Sequence, residues 1–572
     1  MPLLALRAAI EAGCCSTQQP AALARAQRRK RPIPSNGEYS TLPISLSYTG
    51  IEYIFLFCIM EIWIFDFYRS VSRSHHRNRR LQPPIVMVVL RIPSLGLIAS
   101  LLFLMFHPWT VSAEHSPVPF LANTFKVGEV TSTEAIVWTR LSLHDGIPSE
   151  RDAAPGVPGE VRLTYWQREN PDQKQTIDWM PVDSEKDYTL QIPLKSLQPD
   201  TRYALLVETR SGDHTKLGAV SDGSFQTAPD AVSVRPIKCV VVTCQTIASV
   251  DSGDAGFATY HYLDELRPDF FVHTGDIVYY DQTPLSKNLV EARQLWNRMF
   301  SYRFVRDFHR NTTSYFEKDD HDTVCDDCVP GTKFHDLTFE QGQSIFLEQV
   351  PMGKKTYRTF RWGKDLQIWL TENRDYRSHK NRAPDSPDKT ILGLEQRNWL
   401  MKTMTESEAT FKVLISPDCL VGPDKPRKAD NHSNDAFLYE GTMLREFLAS
   451  LPNTFVANGD RHWQYHSVDP KTGLNEFGCG PINDRHGNNG GNCGFQPEYH
   501  RFFCGGGGFL EITVERKELP TITFRHIGID GIHATAATHP LRKINVSSGE
   551  PLANPEQKYP VLRYEVSFEA VQ

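Results

Sequence analysis

Five short polar clusters hold the side chains in this sequence best suited to chemistry. They are Cys244, then Asp276 with Tyr279, then Asp319-Asp320-His321-Asp322, then Asn373-Arg374-Asp375-Tyr376-Arg377, and last Gly459-Asp460-Arg461-His462. Carboxylates, a thiol, a phenol and histidines are ligands for cations. A Gly-Asp pair closing a strand sets a carboxylate at the mouth of an open sheet, where two ions can share it. Singly, each cluster has a plainer reading. Gly275-Asp276 also suits an ordinary turn, and Tyr279 an ordinary wall residue. Cys244 is a buried structural cysteine, or a soft thiolate better matched to iron than to magnesium or calcium. Arg374 is a planar clamp for two phosphate oxygens, or a loop salt-bridge partner of Glu372 or Asp375. His432, in KADNHSND, caps such a site or is an exposed loop histidine.

Each cluster follows an apolar run of strand length. KCVVVTCQ, DFFVHTGD, TSYFEKDDHD, LQIWLTENRDYR and TFVANGDRH precede or contain them, and TFKVLISP is a further strand. Helical patterns lie between, through Tyr260, Leu263 and Leu266, from Leu285 to Phe308, and in LGLEQRNWLMKTM. This alternation predicts layered α/β structure over 236–535, whose strand ends bring the clusters to one edge. Upstream, FKVGEV, EAIVWTRL, EVRLTYWQR and DYTLQIP alternate apolar and polar residues with the period of strands. LKSLQPDTRYALLVET resembles the tyrosine corner of fibronectin type III domains, and SDGSFQTAP their last strand, so 118–230 is expected to be a small all-β sandwich without catalytic residues.

In that order, the clusters resemble the metallophosphoesterase superfamily and within it the PhoD-like alkaline phosphatases. The shared features are the preceding β-sandwich, a cysteine in place of the first aspartate, Gly-Asp-x-x-Tyr, Asp-Asp-His-Glu/Asp and a late Gly-Asp-x-His. The resemblance implies a four-layer α/β/β/α sandwich and a metal-dependent phosphatase or phosphodiesterase acting on a phosphate ester through a two-metal-activated water. It implies metal ligation by Cys244, Asp276, Tyr279, Asp319, Asp320, Asp460 and His462, with iron(III) on the Cys244/Tyr279 side and calcium or another divalent ion beside it. His321 would serve as proton donor and Arg374 as phosphate clamp. Tyr279 on ferric iron resembles the Gly-Asp-x-x-Tyr of purple acid phosphatases and implies a visible colour. A rival from another class is a non-catalytic, metal-stabilised surface-binding protein.

Composition bounds these readings. At 572 residues the chain has room for several domains, and its net charge of −6 hides an asymmetry. Residues 1–113 hold twelve basic and five acidic side chains, so the remainder is distinctly acidic. That argues against nucleic-acid binding beyond a nucleic acid as substrate. Residues 1–50 lack a core-forming pattern, and 51–68 are apolar but carry Glu61 and Asp66. The run from Met87, with Arg91, the apolar core Leu95–Phe106 and the small residues Val111-Ser112-Ala113, has the layout of a secretory signal peptide. We therefore expect 1–86 to be an upstream extension of the reading frame, 87–113 a signal peptide or membrane anchor, and the product to be exported. Residues 536–572 are expected to be a tail. Eight cysteines follow Ala113; with Cys244 on a metal, seven remain and at least one is unpaired or pairs between chains.

Overall fold

The computed structural model describes residues 116–146, 153–379, 385–425, 428–487, 494–529, 537–538 and 560–571. The expected extension, signal peptide or anchor lie outside them, and among the described residues no helix is long and apolar enough to cross a membrane.

Two large sheets face each other. In the first, strands Ile237–Val242, Phe270–Thr274 and Thr313–Glu317 run parallel, with the hairpin Gly508–Arg516 and Pro520–Ile529 on one side. In the second, Leu366–Leu370, Phe411–Ser416, Thr454–Asn458 and Asn475–Cys479 are parallel neighbours. Successive side chains of a strand point to opposite faces, and the chain uses both. Cys239, Val241, Phe270, Val272 and Tyr315 face Ile368, Val413, Ile415 and Ala457 in the core between the sheets. Val240, Val242, Phe271 and Phe316 turn outward under the helices Ala258–Leu266, Leu289–Met299, Arg303–His309 and Phe339–Gln349. On the far side Trp369, Leu414 and Val456 pack under Gly393–Thr405 and Leu438–Ser450. The result is the expected α/β/β/α layering. Strands buried on both faces read as continuous apolar runs, which is why they were legible.

Two boundaries differ from expectation. The N-terminal β region forms two sheets, Phe125–Gly128 with Ala135–Arg140 and Thr189–Leu194, and a four-stranded sheet in the order Gln175–Pro181, Gly159–Gln167, Arg202–Ser211, Leu217–Gln226. The three-stranded one is no separate layer. Phe125–Gly128 pairs in parallel with Thr313–Glu317, so it continues the first large sheet. The expected tail also contributes: Pro560–Glu569 pairs along Pro520–Ile529 and covers what would otherwise be an open edge. Its alternating VLRYEVSF pattern carried that signal.

Candidate metal centre

Six strand ends converge on one edge. Cys244, Asp276 and Asp319 follow the three parallel strands of the first sheet, and Arg374, Asp418 and Asp460 follow three of the second. Cys244, Asp276 and Asp460 adopt left-handed backbone angles, with φ of 47°, 56° and 56°. That conformation is costly for a side-chain-bearing residue and clusters where function holds it in place. Gly275 and Gly459 let these ends approach. A Cβ on Gly275 would sit 2.6 Å from the Asp319 backbone nitrogen, and one on Gly459 would sit 2.2 Å from Thr274 Oγ1.

Asp276 is the hub. Its carboxylate belongs to three groups whose donor atoms lie within 4.8 Å of one another, with Cys244 and His462, with Asp320 and His321, and with Asp319 and Asp460. Cys244 Sγ and the Tyr279 hydroxyl donate to Asp276 Oδ2 at 3.4 and 3.0 Å, and the same hydroxyl lies 3.5 Å from His462 Nε2. All seven side chains expected as ligands therefore meet at one place.

The donor set fits cations. Burial, and then the Asp276 charge, push the Cys244 thiol and the Tyr279 phenol well above their usual ranges. Burial also raises Asp319, and raises Asp276 to about 6. Burial and the neighbouring His486 and Arg461 push His462 well down, leaving a neutral imidazole of the form that ligates. Asp319 Oδ2 is buried without a hydrogen-bond partner. Arg374 and His321 offset part of this carboxylate charge, and cations bound among the remaining donor atoms would complete the set. Two further acidic groups already have protein cations. Asp418 accepts from Arg374 and Arg377 at 3.0 and 2.9 Å, and Lys428 lies 2.5 Å from Asp327 and 3.1 Å from Asp430.

Several roles change with the tertiary contacts. Arg374 is fully buried, with Nε on Asp319 at 2.5 Å and Nη2 on Asp418. Asp319 and Asp418 hold Nε and Nη2 of this guanidinium, which orients Asp319, while its buried Nη1 has no hydrogen-bond partner. The sequence-level alternative named the wrong partners, since Glu372 and Asp375 pair with Lys318. His432 is neither cap nor exposed; it is buried against Glu440 at 3.0 Å.

His321 lies beside Asp276 and Asp320. Its Nδ1 is 2.6 Å from Asp281 Oδ1, and its ring lies 4.3 Å from that of Tyr279. Burial alone would lower its pKa, but Asp320, Asp276 and Asp281 together raise it to about 10. Asp281 ends the GDIVYYD run and had been given no role. Asp322 was noted only as part of its cluster; its two oxygens accept from the backbone nitrogens of Asp319 at 2.7 Å and Ile277 at 3.0 Å, tying the two ligand loops together. His486 was missed in a Gly/Asn-rich segment. Its Nε2 is 3.1 Å from the Tyr279 hydroxyl and its ring is 4.2 Å from that of His462. Its position after the strand Asn475–Cys479 was the one available signal.

The profile of a family described as PhoD-like phosphatase matches residues 239–503. A solved structure of PhoD superposes with a TM-score of 0.58 at 19% identity, covering 74% of this chain and 90% of that one. A purple acid phosphatase from yellow lupin (Lupinus luteus) gives 0.47 at 12% identity over 72% of each chain. The comparison with curated proteins found no match.

Proposed function

We infer the function of a chain that matches the PhoD-like phosphatases over residues 239–503, a metal-dependent phosphatase, to be the hydrolysis of phosphate esters by water at the centre around Asp276. The observation that carries this reading is the presence of Asp276 in three donor groups at once, since a shared carboxylate is what holds two cations side by side. Cys244, Tyr279 and His462 with Asp276 would hold iron(III), the thiolate and phenolate being its preferred softer and anionic donors. Asp319, Asp320 and Asp460 with Asp276 would hold calcium or another divalent ion, as oxygen ligands favour. When bound, these ions supply Lewis acidity at the phosphoryl oxygens and favour ionisation of the attacking water.

The protein's own groups do the rest. The Nδ1 of His321 is committed to Asp281, so the proton available to the leaving oxygen is the one on Nε2. As the bond from phosphorus to the ester oxygen breaks, that oxygen takes the Nε2 proton. Arg374 keeps Asp319 aimed inward, and Asp322 fixes the spacing of the loops that carry Asp276 and Asp319. We further propose a fibronectin type III-like N-terminal sandwich. Its support is the three-plus-four strand order and the Tyr203 hydroxyl, which accepts from the Gln198 nitrogen at 2.8 Å as a tyrosine corner does. Export rests on the leader-like run ending at Ala113.

The test is hydrolysis of bis-p-nitrophenyl and mono-p-nitrophenyl phosphate, with and without chelator, alongside iron and calcium analysis. Chelator-sensitive turnover of either ester is expected. No turnover of both by fully metallated protein would overturn the reading in favour of a metal-stabilised binding protein.

A further inference from the structure

A cleft of about 1110 Å³ opens between the four-stranded sheet of the N-terminal β region and the catalytic layer, lined by residues that the metal centre does not use. Arg168 and Arg202 enter it from the strand-end turn and the strand Arg202–Ser211. Arg267 enters from the C-terminal cap of the helix Ala258–Leu266. Trp166 and Asn311 complete the polar and aromatic part of the wall. Among the described residues none of the three guanidiniums has a carboxylate at ion-pair distance.

Arg202 is the central one. Its Nη2 donates to Ser224 Oγ at 3.0 Å and to the Asn311 carbonyl at 3.4 Å, while its buried Nε has no hydrogen-bond partner. Burial, then Arg168 and Arg267, lower its pKa, so the three cations stand close enough to repel. The acids along the same cleft do not offset them fully. Asp222 faces Arg310 at 3.6 Å, and Glu265 faces His261 at 3.4 Å. Asp264 remains, its carboxyl pushed up by burial and by Asp307 and drawn down in part by Arg267, so one carboxylate stands among three guanidiniums.

We propose that this cleft is a second ligand site, which binds a phosphate group carried on a larger organic molecule. Three guanidiniums offer forked donors to three terminal oxygens, a number that a phosphate monoester supplies and a carboxylate does not. The volume far exceeds that of a phosphate ion, and Trp166 beside the arginines gives the carried group an apolar wall. Because the walls come from both the β region and the catalytic layer, an occupant would also brace their junction. The site stands independently of whether the metal centre hydrolyses esters.

The test is calorimetric titration of the metal-loaded full chain with phenylphosphonate and, separately, with inorganic phosphate. Phenylphosphonate should fill one site more on the wild type than on Arg168→Gln/Arg267→Gln, or bind that site at least tenfold more tightly on the wild type, with any p-nitrophenyl phosphate turnover the same in both. Both substituted residues are exposed, so the fold should tolerate the change, and an unchanged melting temperature without ligand verifies it. Inorganic phosphate should bind the cleft more weakly than phenylphosphonate; equal or tighter binding identifies the free ion as the occupant and overturns the organic carrier. Identical stoichiometry and affinity in wild type and variant would overturn the site itself.

Discussion

Asp322→Ala tests whether the centre is assembled by its loops or merely by its ligands. Asp322 is fully buried and is not among the donors that meet at Asp276, yet it accepts from the nitrogens of Ile277 and Asp319, one residue after a proposed ligand and on a proposed ligand respectively. Truncation leaves two buried N–H groups without acceptors, at about 1–3 kcal/mol each. Against that, burial and the Asp276 charge raise the Asp322 pKa well above the carboxylate range, so removing the acid relieves part of its own desolvation. The net expected loss is about 2–4 kcal/mol. A urea titration should show a lower midpoint at an unchanged slope, and metal analysis after dialysis should show metal lost from the variant but retained by the wild type. Asp322→Asn keeps the shape and one acceptor but turns an amide N–H₂ toward the other backbone donor, so it should fall between the two. An Asp322→Ala protein with wild-type midpoint and metal content would refute the idea that this carboxylate sets the spacing of the ligand loops.

Three further outcomes follow from the same contacts. Cys244→Ser should lower iron content and bleach any visible absorption; unchanged iron would remove Cys244 from the ligand set. Asp281→Asn removes one of the carboxylates that raise the His321 pKa, so the proton donor should ionise at lower pH. The alkaline limb of the kcat profile is then expected to move acid-ward by roughly one to two pH units, and a limb that stays put would mean that another group supplies the proton. Glu440 accepts from Ile391 N, Thr390 and His432. Burial opposes its ionisation, but those bonds hold its pKa at about 2, below the ordinary 4.5. Its stabilisation is therefore complete above about 4.5 and fades as pH falls toward 2, so Glu440→Gln should cost about 2–3 kcal/mol at pH 7 and progressively less below 4.5. An equal difference between the melting temperatures of the two proteins at pH 7 and pH 4 would contradict this linkage.

The sequence by itself determined the layered α/β order, the strand at whose end each ligand stands and the full set of seven ligand candidates. These are local properties: a doubly buried strand is a continuous apolar run, and Gly-Asp or Asp-Asp-His at its end is visible within a few residues. It also carried six of the seven strands of the N-terminal β region, but not Gln175–Pro181, nor that Phe125–Gly128 extends the catalytic sheet, because strand pairing at that distance leaves no periodic mark. Only the tertiary structure decided what the charged side chains do. The sequence did not show what holds Arg374, because Asp319 and Asp418 lie 55 and 44 residues away on other strand ends. His486 reaches Tyr279 across 207 residues, and Asp322 reaches Ile277 across 45. A charge shows its type in the sequence, but whether it is a ligand, a tie or a counter-ion depends on which oxygen or nitrogen the fold brings within 3 Å, and that is a property of converging loops rather than of any one of them.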